Sequence, residues 1–364
     1  MIKYRKKIIL HIISSLGDGG AQIQLYELLK EKSIFKHDVL IFKDKGILKK
    51  KLKKKNINII NFSQLNLLNK IKFTLFFPQK YNYNSVIAWM PHAQIYSIIL
   101  KILHFKEIRI FANVRQSLDH ISDFKIKTRF IIFLIKKLSF LFEGFIFNSY
   151  YSYRQHLING FKIKKYSVIL NKISNNFLIK KIPKYPRKLK KLSIGHFARF
   201  DNLKNHSLFI NMAIKILSQN KNIKFIMGGR GVNWNNNFFK KNIPNNCYKN
   251  FKLIDAVSNI KFFYDKIDLF CLTSNAESFP NVLIESMARG VPCISSNVGD
   301  SRKIINNNKF IYKKKNLTQF VSLVQNFIKI DNKKKKLIVK NNLLHIKKKF
   351  ITSKKNKEYI NFIK

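Results

Sequence analysis

The stretch Glu277-Ser278-Phe279-Pro280-Asn281-Val282-Leu283-Ile284-Glu285 decides how this chain is read. It sets two carboxylates eight positions apart in a protein short of acid, where 18 Asp+Glu face 71 Lys+Arg and only seven of the acids are Glu. The chain then runs through Ser286-Met287-Ala288-Arg289-Gly290-Val291-Pro292. The order is loop, helix, stop, strand. Pro280 restricts the residue before it and suits a helix start. Val282, Leu283, Ser286 and Met287 have helical spacing. Gly290 suits the left-handed position after the last helical residue, and Pro292 prevents continuation. Glu277 falls in the loop before the helix and Glu285 about one turn in. Free N–H groups at a helix start, flanked by carboxylates, can hold a phosphorylated sugar: amides take phosphate and carboxylates take hydroxyls.

Outward from this stretch, short β-branched runs alternate with longer amphipathic ones. Strands are predicted at 8–14, 38–42, 85–89, 108–113, 144–148 and 167–170, with helices at 21–30, 94–103 and 127–141. A second series has strands at 192–198, 224–228, 269–273 and 292–295 and helices at 207–218 and 281–289. From 317 onward the chain reads as helical and very basic. Such alternation argues for parallel sheets covered by helices. The segment 180–191, with Pro183, Pro186 and dense Lys/Arg, has linker composition.

The length of 364 residues suits two domains, and 46% hydrophobic content is enough for real cores. A net charge of +53 first suggests polyanion binding. The excess is nearly all Lys, since Arg supplies only ten of the 71 cations. The lysines are scattered, and they accompany abundant Asn, Ile, Phe and Tyr. That is the footprint of an AT-rich genome and a solvated surface, so no specific nucleic acid is expected. Attraction to an anionic membrane follows from the charge in either case. Cys247, Cys271 and Cys293 lie far apart without metal-ligand spacing, which favours a reduced cytoplasmic setting. The N-terminal run 1–13 reads as a buried strand rather than a signal peptide, and no apolar stretch is long enough to span a bilayer. The helix at 127–142 combines Phe, Leu and Ile with Lys136 and Lys137. It reads as a buried helix or as a membrane-facing one that reaches a lipid-linked acceptor.

The run 268–301, including Gly290-Val291-Pro292-Cys293 and Val298-Gly299-Asp300-Ser301, resembles the Glu-x7-Glu signature of retaining, nucleotide-sugar-dependent glycosyltransferases of family 4 (group 1). The variant with Phe279-Pro280-Asn281-Val282 is similar to bacterial enzymes that build cell-surface polysaccharides. The resemblance implies an α/β GT-B fold, with two Rossmann-like domains facing each other across a cleft. It places an acceptor-side domain at 1–180, a linker at 181–191 and a nucleotide-sugar domain at 192–341, with a C-terminal helix at about 342–364 packing back on the first. It implies a retaining, metal-independent hexosyltransferase with no cofactor. The donor would be UDP- or GDP-linked and the acceptor a growing, lipid-linked glycan such as O-antigen or capsule. The enzyme would be cytoplasmic, on the inner face of the membrane. The rival reading is a polyanion-binding protein on a retired GT-B scaffold.

Site roles follow from the resemblance, residue by residue. Glu277 would bind hydroxyls of the donor sugar and Glu285 the ribose, with Ser278, Phe279, Pro280, Asn281 and Val282 lining the donor. Gly195-His196-Phe197-Ala198-Arg199 and Lys204-Asn205-His206 match the family's Gly-x-x-x-Arg and Lys-Asn-His segments. Arg199 and Lys204 would grip the diphosphate, whose charge grows as the sugar leaves. Arg230, in Gly228-Gly229-Arg230-Gly231, would contact phosphate. Gly19 and Gly20, in the turn Gly17-Asp18-Gly19-Gly20, would give backbone contacts to donor phosphate or acceptor. His92 corresponds to a family histidine near the reactive face of the sugar. Arg115, Ser117 and Asp119 match the acceptor side, with phosphate as an alternative for Arg115. Asp268 reads as structural. Leu170, Lys172 and Lys309 depart from the pattern, which has proline at the first position and glycine at the other two. No Asp-x-Asp pair occurs in the chain.

Overall fold

The computed structural model describes residues 8–17, 19–77, 83–104, 107–119, 121–184, 191–256, 259–351 and 355–364. Residues 1–7 of the N-terminal run, Asp18 of the glycine turn and 185–190 of the expected linker lie outside them. The chain forms two compact units, Met1–Lys172 with Thr352–Lys364, and Ile173–Ile351.

The first unit is built on a seven-stranded parallel sheet of order β3-β2-β1-β4-β5-β6-β7. The strands are β1 Ile8–Ile13, β2 Lys36–Ile41, β3 Asn58–Asn61, β4 Tyr83–Trp89, β5 Arg109–Val114, β6 Gly144–Phe147 and β7 Tyr166–Val168. Both faces are covered, so the central strands are apolar on both sides. Alternate residues separate the faces. Leu10, Ile12, Leu40, Val86 and Ala88 pack under α3 (Leu67–Leu75), α4 (Pro91–Leu103) and α5 (Ile126–Lys137). Ile9, Ile13, Val39 and Ile41 pack under α1 (Gly20–Leu29), α2 (Leu48–Lys53) and the C-terminal helix α14 (Lys355–Ile363). The helix α6 (Tyr150–Ile158) links β6 to β7.

The second unit holds a six-stranded parallel sheet of order β10-β9-β8-β11-β12-β13. Its strands are β8 Leu192–Phe197, β9 Ile223–Gly228, β10 Phe251–Ile254, β11 Leu269–Leu272, β12 Cys293–Ser296 and β13 Ile311–Tyr312. The helices are α7 His206–Leu217, α8 Asn237–Asn242, α9 Ile260–Tyr264, α10 Asn281–Ala288, α11 Ser301–Ile305, α12 Leu317–Lys329 and α13 Asn332–Phe350. Phe209, Met212, Phe225, Met227, Phe320 and Val324 fill the core between α7, α12 and the sheet.

Several elements differ from their sequence reading. The expected helix at 127–141 is an α-helix to Lys137 and then a 3-10 turn, Ser139–Leu141. The Ser139 hydroxyl donates to the Lys136 carbonyl and accepts from the Lys162 amide, so it competes with the helical ladder. The helix expected at 94 begins at Pro91, which suits the first helical position after Met90 at φ +75°. The short elements α2, β3 and α6 carry too few apolar residues to show a period. The unit boundary falls at Lys172/Ile173, ahead of the 180–191 segment, because 173–179 is bonded into the second unit. Ile173 N donates to Phe350 O (2.9 Å) and Ile179 N to Ala288 O (3.0 Å). The return to the first unit comes after Ile351, later than the expected 342.

Candidate functional site

In a parallel sheet, loops at the carboxyl ends of the strands gather where the strand order reverses. In the second unit that point lies between β8 and β11, which are neighbours in the sheet. The loop after β8 carries Arg199 and Lys204, and the loop after β11 carries Glu277. Asn275 N donates to Leu203 O (2.7 Å), and Thr273 Oγ1 donates to Lys204 O (2.9 Å). Asp201 shapes the first loop by accepting from Leu203 N at 3.0 Å. Asn205, at φ +50°, then caps α7 by accepting from Leu208 N at 3.2 Å.

These ties bring together two residues 73 positions apart. Lys204 Nζ donates to Glu277 Oε1 at 2.6 Å, and Ser274 Oγ donates to the same oxygen at 2.9 Å. The two side chains keep 22% and 16% of their surface open, so the pair is sheltered yet reachable. Arg199 stands beside this pair on the same loop with 67% of its side chain exposed, held by Asp201 through Nε (3.1 Å) and Nη2 (2.9 Å).

The Glu277 loop leads into α10, whose first turn has no side-chain cap. Its Asn281 and Val282 are half-buried, whereas Ser278, Phe279 and Pro280 are buried. Phe279 packs on Phe350 with the rings tilted at 60° and their centres 5.9 Å apart, anchoring the loop. Gly299, at φ +51°, lets the next loop approach closely, since a Cβ there would sit 2.5 Å from the carbonyls of Glu277 and Ser278. The helix ends as its sequence indicates. Gly290 takes φ +67°, with Gly290 N donating to Met287 O (2.9 Å) and Val291 N to Ser286 O (3.0 Å).

Glu285 is set deep in the unit and half-buried by area. Burial pushes its carboxyl up to about 6, and the Tyr264 hydroxyl, donating at 3.1 Å, partly opposes that. Arg230 follows β9. Its turn abuts the Arg199 loop, with Phe200 N donating to Arg230 O at 2.8 Å. Gly229 at φ +144° is required there, because a Cβ would lie 2.2 Å from Ala198 O. Asp268 is structural: its carboxylate accepts from Ser193 N at 2.9 Å.

In the first unit the corresponding point lies between β1 and β4. Gly19 and Gly20 follow β1, where Gly19 is the N-cap of α1. His92 follows β4 as an exposed second residue of α4. Arg115, Ser117 and Asp119 follow β5. Arg115 is turned inward, with Nη1 on Asn171 Oδ1, Nη2 on the Tyr359 hydroxyl and the guanidinium 4.7 Å from the centre of the Trp89 ring. Burial lowers its pKa. Ser117 is buried and Asp119 half-buried. Burial, with Asp119 as hydrogen-bond partner, pushes Tyr151 up to about 12.

Sequence reasoning missed Ser274, Asp201, Tyr264 and Tyr359. Ser274 and Asp201 sit within three residues of motif positions, a proximity signal. Tyr264 and Tyr359 reach their partners from 21 and 244 positions away, which nothing local reveals. Among the described residues, no group of three His, Cys, Asp or Glu side chains is arranged to hold a metal ion.

Residues 179–342 match the family of glycosyl transferases group 1. The matched span lies within the second unit. It contains Arg199, Lys204, Arg230 and Glu277 to Glu285, whose geometry is given above. The putative glycosyltransferase EpsF of Bacillus subtilis (strain 168) is 27% identical over 106 residues, covering 29% of this chain and 27% of that protein's length. Alr3699/HepE of Anabaena, solved with UDP and glucose, superposes with a TM-score of 0.80 over 98% of this chain and 99% of its own, at 19% identity. The lipopolysaccharide outer core galactosyltransferase WaaB, solved without ligand, gives 0.69 over 98% and 99% at 18% identity. The chain thus has the GT-B fold, with two Rossmann-like units.

Proposed function

We propose that this protein is a glycosyltransferase that moves a sugar from a nucleotide-sugar donor to a glycan acceptor in bacterial polysaccharide synthesis. The observation that carries this reading is the Lys204–Glu277–Ser274 constellation at the strand-order reversal of the unit that matches the group 1 glycosyl transferases. It sets a fixed cation and an oriented carboxylate side by side, ahead of an uncapped helix start. Nucleotide-sugar transfer needs these parts, because charge grows on the departing diphosphate while the sugar hydroxyls must be held.

In this reading Arg199, Lys204 and Arg230 neutralise the diphosphate. Glu277 accepts from donor sugar hydroxyls, and Glu285 accepts from the ribose. The backbone of Ser278 to Val282 lines the donor. Gly19 and Gly20 offer close backbone approach, and His92 stands at the reacting sugar. Ser117 and Asp119 meet the acceptor. Arg115 supports that side from within, since its guanidinium is already held by Asn171 and Tyr359. The transfer retains anomeric configuration and uses no metal, with the departing phosphate oxygen assisting deprotonation of the acceptor. The acceptor is lipid-linked. The HepE complex with UDP and glucose, and the activity in WaaB's name, support a nucleotide sugar as donor.

The test is turnover of UDP- and GDP-sugars with bacterial lipid-linked glycans as acceptors, with EDTA present and absent. The anomer of the product is read by NMR. Retained configuration with EDTA-resistant rates is expected. An inverted product, or activity abolished by EDTA and restored by a divalent ion, overturns the mechanism. No transfer from any donor overturns the function.

A further inference from the structure

Isolated exposed hydrophobic residues are ordinary on protein surfaces, but a cluster on neighbouring elements is not. Of the 24 exposed large hydrophobic residues among the described positions, 12 lie on α3, α4 and α5 or the turns that end them. These three helices lie side by side on one face of the first sheet. Thr74 of α3 meets Tyr96 of α4 through their hydroxyls at 2.9 Å, and α4 packs along α5.

A surface helix normally turns its polar side outward. On α5 the inward side is Ile132 and Ile135, yet the outward side is also apolar. Ile126, Phe130 and Phe133 recur at helical spacing with 80%, 61% and 50% of their surfaces exposed. Leu68, Ile71 and Leu75 form a similar outward row on α3, and Ile99 and Ile102 do so on α4. The charged residues on these helices have one sign. Lys72, Lys127, Arg129 and Lys137 are exposed, while residues 62–76, 91–103 and 125–142 contain no Asp or Glu.

We propose that this three-helix face docks on an anionic lipid bilayer, with the apolar rows entering the acyl boundary and the cations meeting phosphate headgroups. The charge pattern selects this occupant. A second copy of the chain would bring another +53 and three helices whose own charges are all positive, with Glu143 beside Lys101 as an adjoining carboxylate, so self-pairing is opposed. Among the described residues no helix is long and apolar enough to cross a membrane, so the contact is interfacial. The inference stands independently of the proposed transfer reaction.

The test is cosedimentation of the full chain with vesicles of phosphatidylcholine alone or mixed with phosphatidylglycerol, without donor or acceptor. Binding is expected only to the anionic vesicles. Phe130→Ser with Phe133→Ser leaves the net charge unchanged and lowers that binding by about tenfold or more. Leu68→Ser with Leu75→Ser repeats the test on a different helix, and thermal melting confirms that each variant folds. Lys127→Glu with Lys137→Glu reduces binding by at least about fivefold per charge. Lys347→Glu with Lys348→Glu on α13 makes the same charge change elsewhere and leaves binding near wild type. The proposal fails if wild type ignores anionic vesicles, if both apolar double variants bind as wild type, or if the two charge reversals cost the same. A dimer in light scattering that the Phe130/Phe133 variant dissolves, without vesicle binding, would assign the face to a second copy.

Discussion

Glu277 receives Lys204 and Ser274 on one oxygen, which fixes the carboxylate and leaves its other oxygen for a ligand. Replacing Glu277 with Gln is expected to lower kcat/KM by about 100-fold or more with little change in nucleotide affinity, as steady-state kinetics and calorimetry would show. Ser274→Ala, which removes only the orienting hydroxyl, should cost far less. Glu285 makes a pH prediction. Its carboxyl is held at about 6 by burial, so the charged form, which the proposed ribose contact requires, is lost as pH falls through 6. Nucleotide affinity should fall with it. Tyr264→Phe removes a hydrogen bond that favours the carboxylate, so the midpoint should move to higher pH in titrations from pH 5 to 8. Of these residues, Glu277, Glu285 and Lys204 were legible because they stand in a local motif. Ser274, three positions from Glu277, carried only a proximity signal, and Tyr264 carried none, because its role exists only once α9 meets α10.

At the scale of elements, the best-read piece is α10. Its proline entry and its glycine stop are both local chemistry, and the chain adopts them. Gly290→Ala, forced to φ +67°, should cost about 1–2 kcal/mol, measured by denaturant unfolding. The central strands were legible too, since burial on both faces makes them continuous apolar runs. α2 escaped because only Leu48 and Leu52 of its six residues face inward. α3 escaped for the opposite reason: apolar residues lie on its outward side as well and blur the period. The resemblance implied that the C-terminal helix packs back on the first unit, but the contacts that hold α14 there, Tyr359 with Asn113 and Arg115, were invisible because they close over more than 240 positions. Arg115→Ala should therefore destabilise the fold by about 2 kcal/mol or more, seen as a lower melting temperature even without ligand.

Across the whole molecule, buried histidines couple stability to pH. Burial holds His11 well below 6.5, His37, His156 and His206 at about 4, and His196 at about 3. The unfolded chain binds more protons than the fold as pH drops below 6.5, so stability is fully present above 6.5 and is lost toward pH 4. Glu285 acts oppositely between 4.5 and 6, but it is one group against five. Melting temperature should fall by roughly ten degrees or more from pH 7.5 to 5, and a flat profile would contradict the buried neutral histidines. The net charge of +53 acts at the same scale, and it makes salt-dependent binding to any polyanion unsurprising. The decisive measurement is calorimetric titration of the full chain at moderate salt with UDP- and GDP-sugars, with RNA and polyphosphate as charge controls, repeated on Glu285→Ala. The account predicts saturable one-site binding of a nucleotide sugar that Glu285→Ala weakens. Binding only of RNA and polyphosphate, fading as salt rises and indifferent to Glu285, would contradict it.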